Sequence, residues 1–240
     1  MLVRLSYKIN RTTMSRKFTT NNNKNFKKIG YFIKKNYLNS NDEKKLFKSI
    51  EKMKFEQISQ KKKSHYSHVF KSSYNGMPSA DEPYLAKYGL GKNPGKNKTF
   101  VDFWKKYLIP DLKKLTKNKA KYFLLPNIFK LKKGDFLRCH IDNYVGICGF
   151  TFYLNKGWKW DYGGILNLVF KDGASDQIFP FNNSIMFRNE KKPLYHFLNE
   201  VPFYAKNHYQ YLIVGFGADK KHDRRKRDKE IIFKYKRDYI

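Results

Sequence analysis

Short apolar stretches, in several of which apolar and polar positions alternate, recur through most of the second half of this 240-residue chain. A period of two indicates β-strands, because successive side chains of a strand point to opposite faces. Clusters of Gly, Asn and Asp interrupt the alternation and are typical of turns. The segments with this pattern are 131–142, which contains a Gly-Asp turn, 149–158, 162–170, 183–187, 194–201 and 209–217. The second half of the chain is therefore predicted to form a β-rich core.

Helical periodicity lies upstream of these strands. Ser40 or Asn41 is placed to cap a helix over about 42–54, whose first turn carries acidic residues. A second apolar stripe of helical spacing covers 99–116, where Pro110 is expected to kink or split the helix. We expect both helices to pack their apolar stripes against the β-core.

The long segment between the two predicted helices, 57–98, has no regular period and is rich in Gly, Pro and Lys towards its end. Segments of this length without periodicity are usually functional or disordered loops. An irregular surface or substrate loop is therefore predicted here.

Three potential metal ligands occur in or near the predicted strands: His140, Asp142 and His196. His140 and Asp142 are two residues apart, so a strand would point both towards one ion. If His196 joins them from a later strand, the set is two histidines and one carboxylate. That set leaves positions open on the metal and is typical of non-haem Fe(II) oxygenases. In the alternative interpretation, the histidines are satisfied core residues and Asp142 belongs to a turn.

The order of the motifs adds a family resemblance. The stretches GDFLRCHID, FYLNKGWKWDYGGILNL, FNNSIMFRN and YHFLNEV occur in this order, and residues 29–38 before the first helix are similar to an entry strand. Together, over residues 29–217, they resemble the 2-oxoglutarate/Fe(II)-dependent dioxygenases, and within them the prolyl hydroxylase-like branch. The resemblance implies a mainly β fold with flanking helices, built on a double-stranded β-helix (jelly-roll) core whose motifs lie in 130–217. It also implies that His140, Asp142 and His196 bind Fe(II), with 2-oxoglutarate as co-substrate, dioxygen as oxidant and ascorbate as an optional reductant.

The same resemblance calls for a basic side chain that binds the distal carboxylate of 2-oxoglutarate. Lys206 stands ten residues after His196 and suits the lysine-using members, whereas the more usual arginine is absent there. His208 shares strand parity with Lys206 and is the alternative. Tyr153 matches a tyrosine that donates to this carboxylate in some prolyl hydroxylases, although an ordinary core tyrosine is an equally open interpretation.

Charge and composition bear on partners and location. The chain has 51 Lys and Arg against 20 Asp and Glu, a formal net charge of +31. Residues 1–28 are predicted to form a basic, disordered arm, and 218–240 a basic tail. Such an excess attracts nucleic acid or ribosomes, but lysine filling solvated faces in an AT-rich composition explains it equally well. A mitochondrial presequence in 1–28 is the minor alternative to a cytoplasmic location.

Two further features exclude other classes of protein. No run of about 18 apolar residues exists, so no membrane span is expected. Cys139 and Cys148 are the only cysteines, which makes a disulfide framework unlikely to hold the fold and favours a reducing compartment.

The predicted function is hydroxylation of a C–H bond, with a prolyl residue of a protein or peptide as the leading substrate. A 2-oxoglutarate oxygenase that acts on a nucleobase or a free amino acid is the second hypothesis. A non-catalytic, nucleic-acid-associated protein on a degenerate barrel is the third. An intact set of metal ligands favours the two enzyme hypotheses.

Overall fold

Two antiparallel β-sheets form the core of the protein. The computed structural model describes residues 25–53, 56–57, 70–71, 73–75, 98–140, 146–170, 172–192, 194–205 and 208–219. Because the predicted arm 1–28 and tail 218–240 fall almost entirely outside these ranges, their predicted disorder stays a prediction. Within the described ranges, Phe26 is buried and its ring packs against that of Phe32, so residues 25–28 pack with the domain.

The larger sheet has seven strands in the order β1-β10-β7-β12-β5-β4-β2. Its strands are β1 (Tyr31–Lys35), β2 (Glu56–Gln57), β4 (Ser73–Asn75), β5 (Tyr122–Leu131), β7 (Cys148–Tyr153), β10 (Ser184–Arg188) and β12 (Gln210–Ala218). Every pairing between neighbours is antiparallel. The strands predicted from alternation are thus present, and the strand β1 lies within the predicted entry segment 29–38.

The smaller sheet has five strands in the order β3-β6-β11-β8-β9. They are β3 (Phe70–Lys71), β6 (Phe136–His140), β8 (Leu166–Val169), β9 (Ser175–Ile178) and β11 (Tyr195–Leu198). Buried side chains from both sheets form one apolar cluster, which includes Tyr153, Met186 and Leu212 from the larger sheet and Leu168 and Leu198 from the smaller. Two facing antiparallel sheets with a shared interior confirm the predicted jelly-roll class.

The segment predicted as an irregular loop contains three of these short strands, β2, β3 and β4. β4 pairs with β5, and β3 pairs with β6. The prediction was wrong at these positions, because a two- or three-residue strand has too few positions to show a period and depends on its long-range partner. The remaining residues between 58 and 97 lie outside the described part of the chain.

Helices cover the outer face of the larger sheet. They are α1 (Ser40–Glu51), α2 (Lys98–Phe103) and α3 (Ile109–Leu115), with a π-helical segment (Trp104–Leu108) between the last two. Asn39, and not Ser40 or Asn41, caps α1: its side-chain oxygen accepts a hydrogen bond from the Asp42 amide at 2.9 Å. The predicted cap was therefore one or two residues late.

Pro110 has the effect predicted for it. It stands in the first turn of α3, directly after the π-helical segment. Proline has no N–H and its ring crowds the carbonyl four residues earlier, so the preceding turn widens instead of continuing as a regular α-helix. None of the described helices is both long enough and apolar enough to cross a membrane.

Candidate active site

Strand register brings the two predicted histidine positions together. In the smaller sheet, β11 pairs with β6 so that His196 is the direct partner of His140. Directly opposed residues of an antiparallel pair lie on the same face of the sheet. The side chain of His140 and the whole of residues 141–145, with Asp142, lie outside the described part of the structure. Their role as metal ligands stays a prediction.

His196 is buried, and its surroundings determine its tautomer. Its Nδ1 lies 3.0 Å from the carbonyl oxygen of Leu194, and Nη1 of Arg188 lies 2.9 Å from Nε2 and 3.2 Å from Nδ1. A carbonyl can only accept a hydrogen bond and a guanidinium can only donate one. The Leu194 carbonyl favours the tautomer with the proton on Nδ1, and the guanidinium then donates to Nε2, the nearer of the two ring nitrogens. This is the tautomer that a metal bound at Nε2 requires, with the other ring N–H held by a backbone carbonyl.

Arg188 is a buried residue beside His196 that the sequence reasoning missed. It ends β10, is only 4% exposed, and forms an ion pair with Glu190 in which Nε and Oε1 are 3.4 Å apart. Both side chains are buried, so each charge is balanced mainly by its partner and by nearby hydrogen bonds. The strand pattern did contain a signal for its position. Ile185 and Phe187 pack towards the helices, so the alternation of side chains along β10 turns Arg188 to the opposite face of the sheet.

Gly149 on β7 makes room for this ion pair. It is the register partner of Arg188, and a Cβ atom built on it would overlap Oε1 of Glu190 and approach Nη2 of Arg188 to 3.2 Å. The guanidinium carbon also lies 5.9 Å from the ring centre of Phe216, on the neighbouring strand β12. The buried charge is thus seated between a glycine and an aromatic ring, inside the barrel.

Tyr153 presents a hydroxyl group to the same interior. The side chain is only 1% exposed, and its Oη has no hydrogen-bond partner among the described residues. Burial raises the pKa of Tyr153, and the positive charge of Arg188 opposes part of that rise. The hydroxyl is therefore protonated at neutral pH and available to donate a hydrogen bond. Buried hydroxyls usually have a partner, so an orphan inside the barrel indicates a place for a polar ligand.

The structure describes only some of the side chains near the start of β12 that could bind 2-oxoglutarate. Lys206 lies outside the described residues, so its role stays a prediction. His208 is half-buried, and its ring centre lies 4.8 Å from that of Tyr162. Gln210, which has the same strand parity, is fully buried and donates a hydrogen bond from Nε2 to the carbonyl of Gly164 at 2.9 Å.

Within the described part of the chain, no three His, Cys, Asp or Glu side chains gather closely enough to hold a metal ion. This follows from the ranges themselves, because the side chains of two of the three predicted ligands fall outside them. Of the three predicted ligands, the side chain that the structure describes is that of His196, which lies buried beside Arg188.

Comparison with known proteins agrees with this geometry. The sequence model of the 2OG-Fe(II) oxygenase superfamily matches residues 127–215, which include β6, β7, β10 and β11. No curated protein sequence matches the chain significantly.

Solved structures with a similar fold include three oxygenases. A prolyl-4-hydroxylase from Pseudomonas putida is 13% identical, with a TM-score of 0.57 over 82% of this chain and 97% of its own. A Trichoplax adhaerens prolyl hydroxylase, solved with a hypoxia inducible factor peptide fragment, is 14% identical, with a TM-score of 0.58 over 82% and 87%. An oxidoreductase of the 2OG-Fe(II) oxygenase family from Burkholderia pseudomallei is 10% identical, with a TM-score of 0.59 over 93% and 98%.

The solved structures confirm the predicted jelly-roll fold, and the sequence model that matches residues 127–215 is that of the predicted family. Members of this superfamily are oxidoreductases that use Fe(II), 2-oxoglutarate and dioxygen. Over residues 127–215, the β-core of this chain is thus similar in sequence pattern and in fold to that of the 2OG-Fe(II) oxygenases.

Proposed function

We propose that this dioxygenase hydroxylates a C–H bond of a prolyl residue in a protein or peptide. The observation that carries the oxygenase chemistry is the buried polar wall made by His196, Arg188 and Tyr153. Support for the prolyl substrate comes from the FYLN and YHFLNEV motifs and from the two prolyl hydroxylases of similar fold, one of which holds a peptide.

The residues that would hold Fe(II) are His140, Asp142 and His196. His196 fits this role, because its Nε2 lone pair points away from the protonated Nδ1. A metal at Nε2 would replace the hydrogen bond from Nη1 of Arg188, so the guanidinium would have to turn towards another acceptor. When bound, Fe(II) supplies the redox chemistry that couples oxidation of 2-oxoglutarate to oxidation of the substrate.

The co-substrate carries two carboxylates, and the interior of the barrel offers groups of matching chemistry. Tyr153 can donate its unused hydroxyl hydrogen to a carboxylate oxygen. Arg188 contributes a buried positive charge, and Lys206 or His208 would add a second cation from the start of β12. Hydrogen bonds to a carboxylate are among the stronger ones, roughly 1.5–3 kcal/mol each. The apolar side chains around Tyr153, among them Met186 and Leu212, exclude water from this interior.

The overall reaction balances as follows. One oxygen atom of O2 enters the substrate as a hydroxyl group, and the other enters the carboxylate of succinate as 2-oxoglutarate loses CO2. The substrate therefore gains one oxygen atom for each succinate formed. This stoichiometry separates productive hydroxylation from release of succinate without substrate.

A peptide assay tests the substrate. The full chain, with Fe(II), 2-oxoglutarate and oxygen, is incubated with pools of short peptides that contain proline and with matched pools in which alanine replaces proline. We expect a mass gain of one oxygen atom on proline peptides alone, with an equal amount of additional succinate. Equal succinate from both pools, with no modified peptide, would exclude the prolyl substrate and leave the nucleobase and free amino acid hypotheses to be assayed in the same way.

A further inference from the structure

A second surface of the protein bears features that the oxygenase reaction does not use. Four large aromatic side chains are strongly exposed near one end of the barrel: Trp160 at 79%, Phe203 at 77%, Tyr204 at 51% and Tyr209 at 41%. We call these four residues the aromatic face. Single exposed apolar residues are ordinary, but a group of large aromatic rings at one place marks an interaction site more often than chance.

Contacts between loops hold the aromatic face together. Tyr204 donates a hydrogen bond from its hydroxyl to the carbonyl of Asp161 at 2.8 Å, which joins the loop of Trp160 to the loop of Phe203. The rings of Phe203 and Tyr204 are 5.5 Å apart. The face is therefore built from two loops fixed to one another and not from independent side chains.

Two consecutive glycines allow these loops to approach. Gly163 and Gly164 both have positive φ angles, 64° and 60°. A Cβ atom on Gly163 would overlap the carbonyl oxygen of Glu200, and one on Gly164 would lie 2.6 Å from Oε1 of Gln210. The indole N–H of Trp158 also donates to the carbonyl of Gly163 at 3.1 Å. The glycine pair of the sequence motif WDYGGILNL thus fixes the loop that carries Trp160.

Lysine side chains lie among the aromatic rings. Nζ of Lys130 lies 3.7 Å from the ring centre of Tyr209, and Nζ of Lys159 lies 5.6 Å from that of Tyr162. A further exposed lysine on an adjoining turn is Lys133. The turn at 132–135 is fixed to the second loop, because the Gly134 amide donates to the carbonyl of Val201 at 2.7 Å. These segments thus carry four lysines, Lys130, Lys132, Lys133 and Lys159, against three carboxylates, those of Asp135, Asp161 and Glu200.

We propose that the aromatic face and its lysines bind single-stranded nucleic acid. Unpaired bases stack on exposed aromatic rings, and this stacking tolerates any sequence because every base has a flat π-surface. The lysines neutralise phosphates and release counterions, which gives salt-dependent affinity. A net charge of +31 would strengthen the long-range attraction. An apolar peptide would use the rings but not the lysines, and duplex nucleic acid would use the lysines but not the rings.

This surface lies away from His196. Strand β11 begins beside His196 and ends at Leu198, and the loop with Phe203 and Tyr204 follows that far end. Nucleic acid bound there would position the protein on a partner without occupying the oxygenase interior. Loss of the aromatic face should therefore leave succinate release unchanged, and loss of His196 should leave nucleic-acid binding unchanged.

Fluorescence anisotropy with labelled oligonucleotides tests the proposal on the full chain. The probes are a single-stranded RNA, a single-stranded DNA and a duplex of the same sequence. The Trp160→Ala, Phe203→Ala double variant removes two rings of the face, and Tyr195→Ala, which removes an exposed tyrosine at the other end of β11, is the matched control. Each lost stacking contact should weaken binding by about tenfold.

We expect both single strands to bind more tightly than the duplex, the double variant to lose at least about tenfold in affinity, and Tyr195→Ala to bind like the unaltered protein. Unfolding midpoints of all variants should agree, since the substituted residues are exposed. RNA-selective or DNA-selective binding would identify the source of the strand. Equal affinity for duplex and single strands, or a double variant that binds as tightly as the unaltered protein, would overturn the proposal and assign any binding to charge alone. Binding of a proline-rich peptide in place of oligonucleotides would overturn it as well.

Discussion

The two faces of the larger sheet are built from alternate residues of the same strands, yet they differ in chemistry. On the outer face, Phe150 and Phe152 of β7 are fully buried against the helices: the Phe150 and Trp104 ring centres are 5.6 Å apart. On the inner face, the same pair of strands, β7 and β10, presents Tyr153 and Arg188. The outer face is covered mainly by apolar side chains, whereas the inner face carries a hydroxyl group and an ion pair that could serve a ligand.

Because of this difference, we expect stability and ligand binding to be separable along one strand. Neighbouring residues of β7 lie less than 4 Å apart along the backbone, but their side chains belong to two different apolar clusters. A substitution on the outer face should change the free energy of unfolding. On the inner face, a substitution that removes a polar group without a partner, such as the Tyr153 hydroxyl, should change 2-oxoglutarate binding with little effect on folding.

We expect the greatest loss of unfolding free energy from a substitution on the outer face. Trp104→Ala should lower the free energy of unfolding by about 3–5 kcal/mol, because it leaves a cavity between the π-helical segment and the sheet. Trp160→Ala removes a side chain of the same type from an exposed position and should stay within about 0.5 kcal/mol of the unaltered protein. Urea unfolding followed by circular dichroism measures both. If the two variants lost similar amounts of unfolding free energy, this would show that the helices do not stabilise the sheet.

The second prediction breaks the ion pair inside the barrel. Arg188→Met should cost roughly 3 kcal/mol of unfolding free energy, because Glu190 would then be buried without its main cationic partner. Replacing both residues, Arg188→Met with Glu190→Leu, should recover most of that loss. Urea unfolding of the single and double variants measures the difference. The ion pair would have no structural role if the single variant unfolded at the same urea concentration as the unaltered protein.

The third prediction separates binding from stability. Tyr153→Phe removes a hydroxyl group that has no partner among the described residues, so stability should be unchanged or slightly higher. The affinity for 2-oxoglutarate should fall by about tenfold or more, since a hydrogen bond to a carboxylate is lost. Anaerobic calorimetry on the Fe(II)-loaded protein measures the affinity. An unchanged affinity would make Tyr153 an ordinary core residue and leave Lys206 and His208 as the groups to substitute next.

The smallest effect is a difference between two thiols. Cys148 is fully buried, and burial raises its thiol pKa well above the usual value, with Glu190 raising it further. Cys139 is exposed, and partial burial raises its pKa as well. Because the thiolate is the reactive form, alkylation of Cys139 should accelerate as the pH rises, while Cys148 should react only when the protein unfolds. Mass spectrometry before and after urea treatment checks this, and native labelling of Cys148 would mean that the outer face opens readily.

Much of the fold could be predicted from the sequence because local patterns determine it. The predicted segments located β6, β7, β8, β10, β11 and β12, although not β5 or β9, and Pro110 was correctly expected to interrupt its helix. The short strands β2, β3 and β4 could not be predicted, because their existence depends on β5 and β6, which are remote in sequence. The α1 cap was misplaced because several neighbouring residues can cap a helix, and only the backbone geometry selects Asn39.

In the candidate site, too, local sequence patterns predicted some features, whereas others depend on residues remote in sequence. His196 was predicted from its motif, and the structure adds its tautomer, which depends on Leu194 and Arg188. Arg188 was overlooked because an arginine at the end of a strand is usually exposed, and its burial depends on Glu190 and Gly149 from outside its own strand. Pairings of this kind, made across strands, have no signature in local periodicity.

The oxygenase assignment depends on His196, and one experiment addresses it without knowledge of the substrate. The full chain and His196→Ala are titrated anaerobically with Fe(II) and then with 2-oxoglutarate, oxygen is admitted, and succinate is measured. We expect the unaltered protein to bind one Fe(II), to bind 2-oxoglutarate only after the metal, and to form succinate on oxygenation, and we expect the folded His196→Ala variant to do none of these. Failure of the unaltered, folded protein to bind 2-oxoglutarate in the presence of Fe(II), or equal succinate from both proteins, would contradict the assignment.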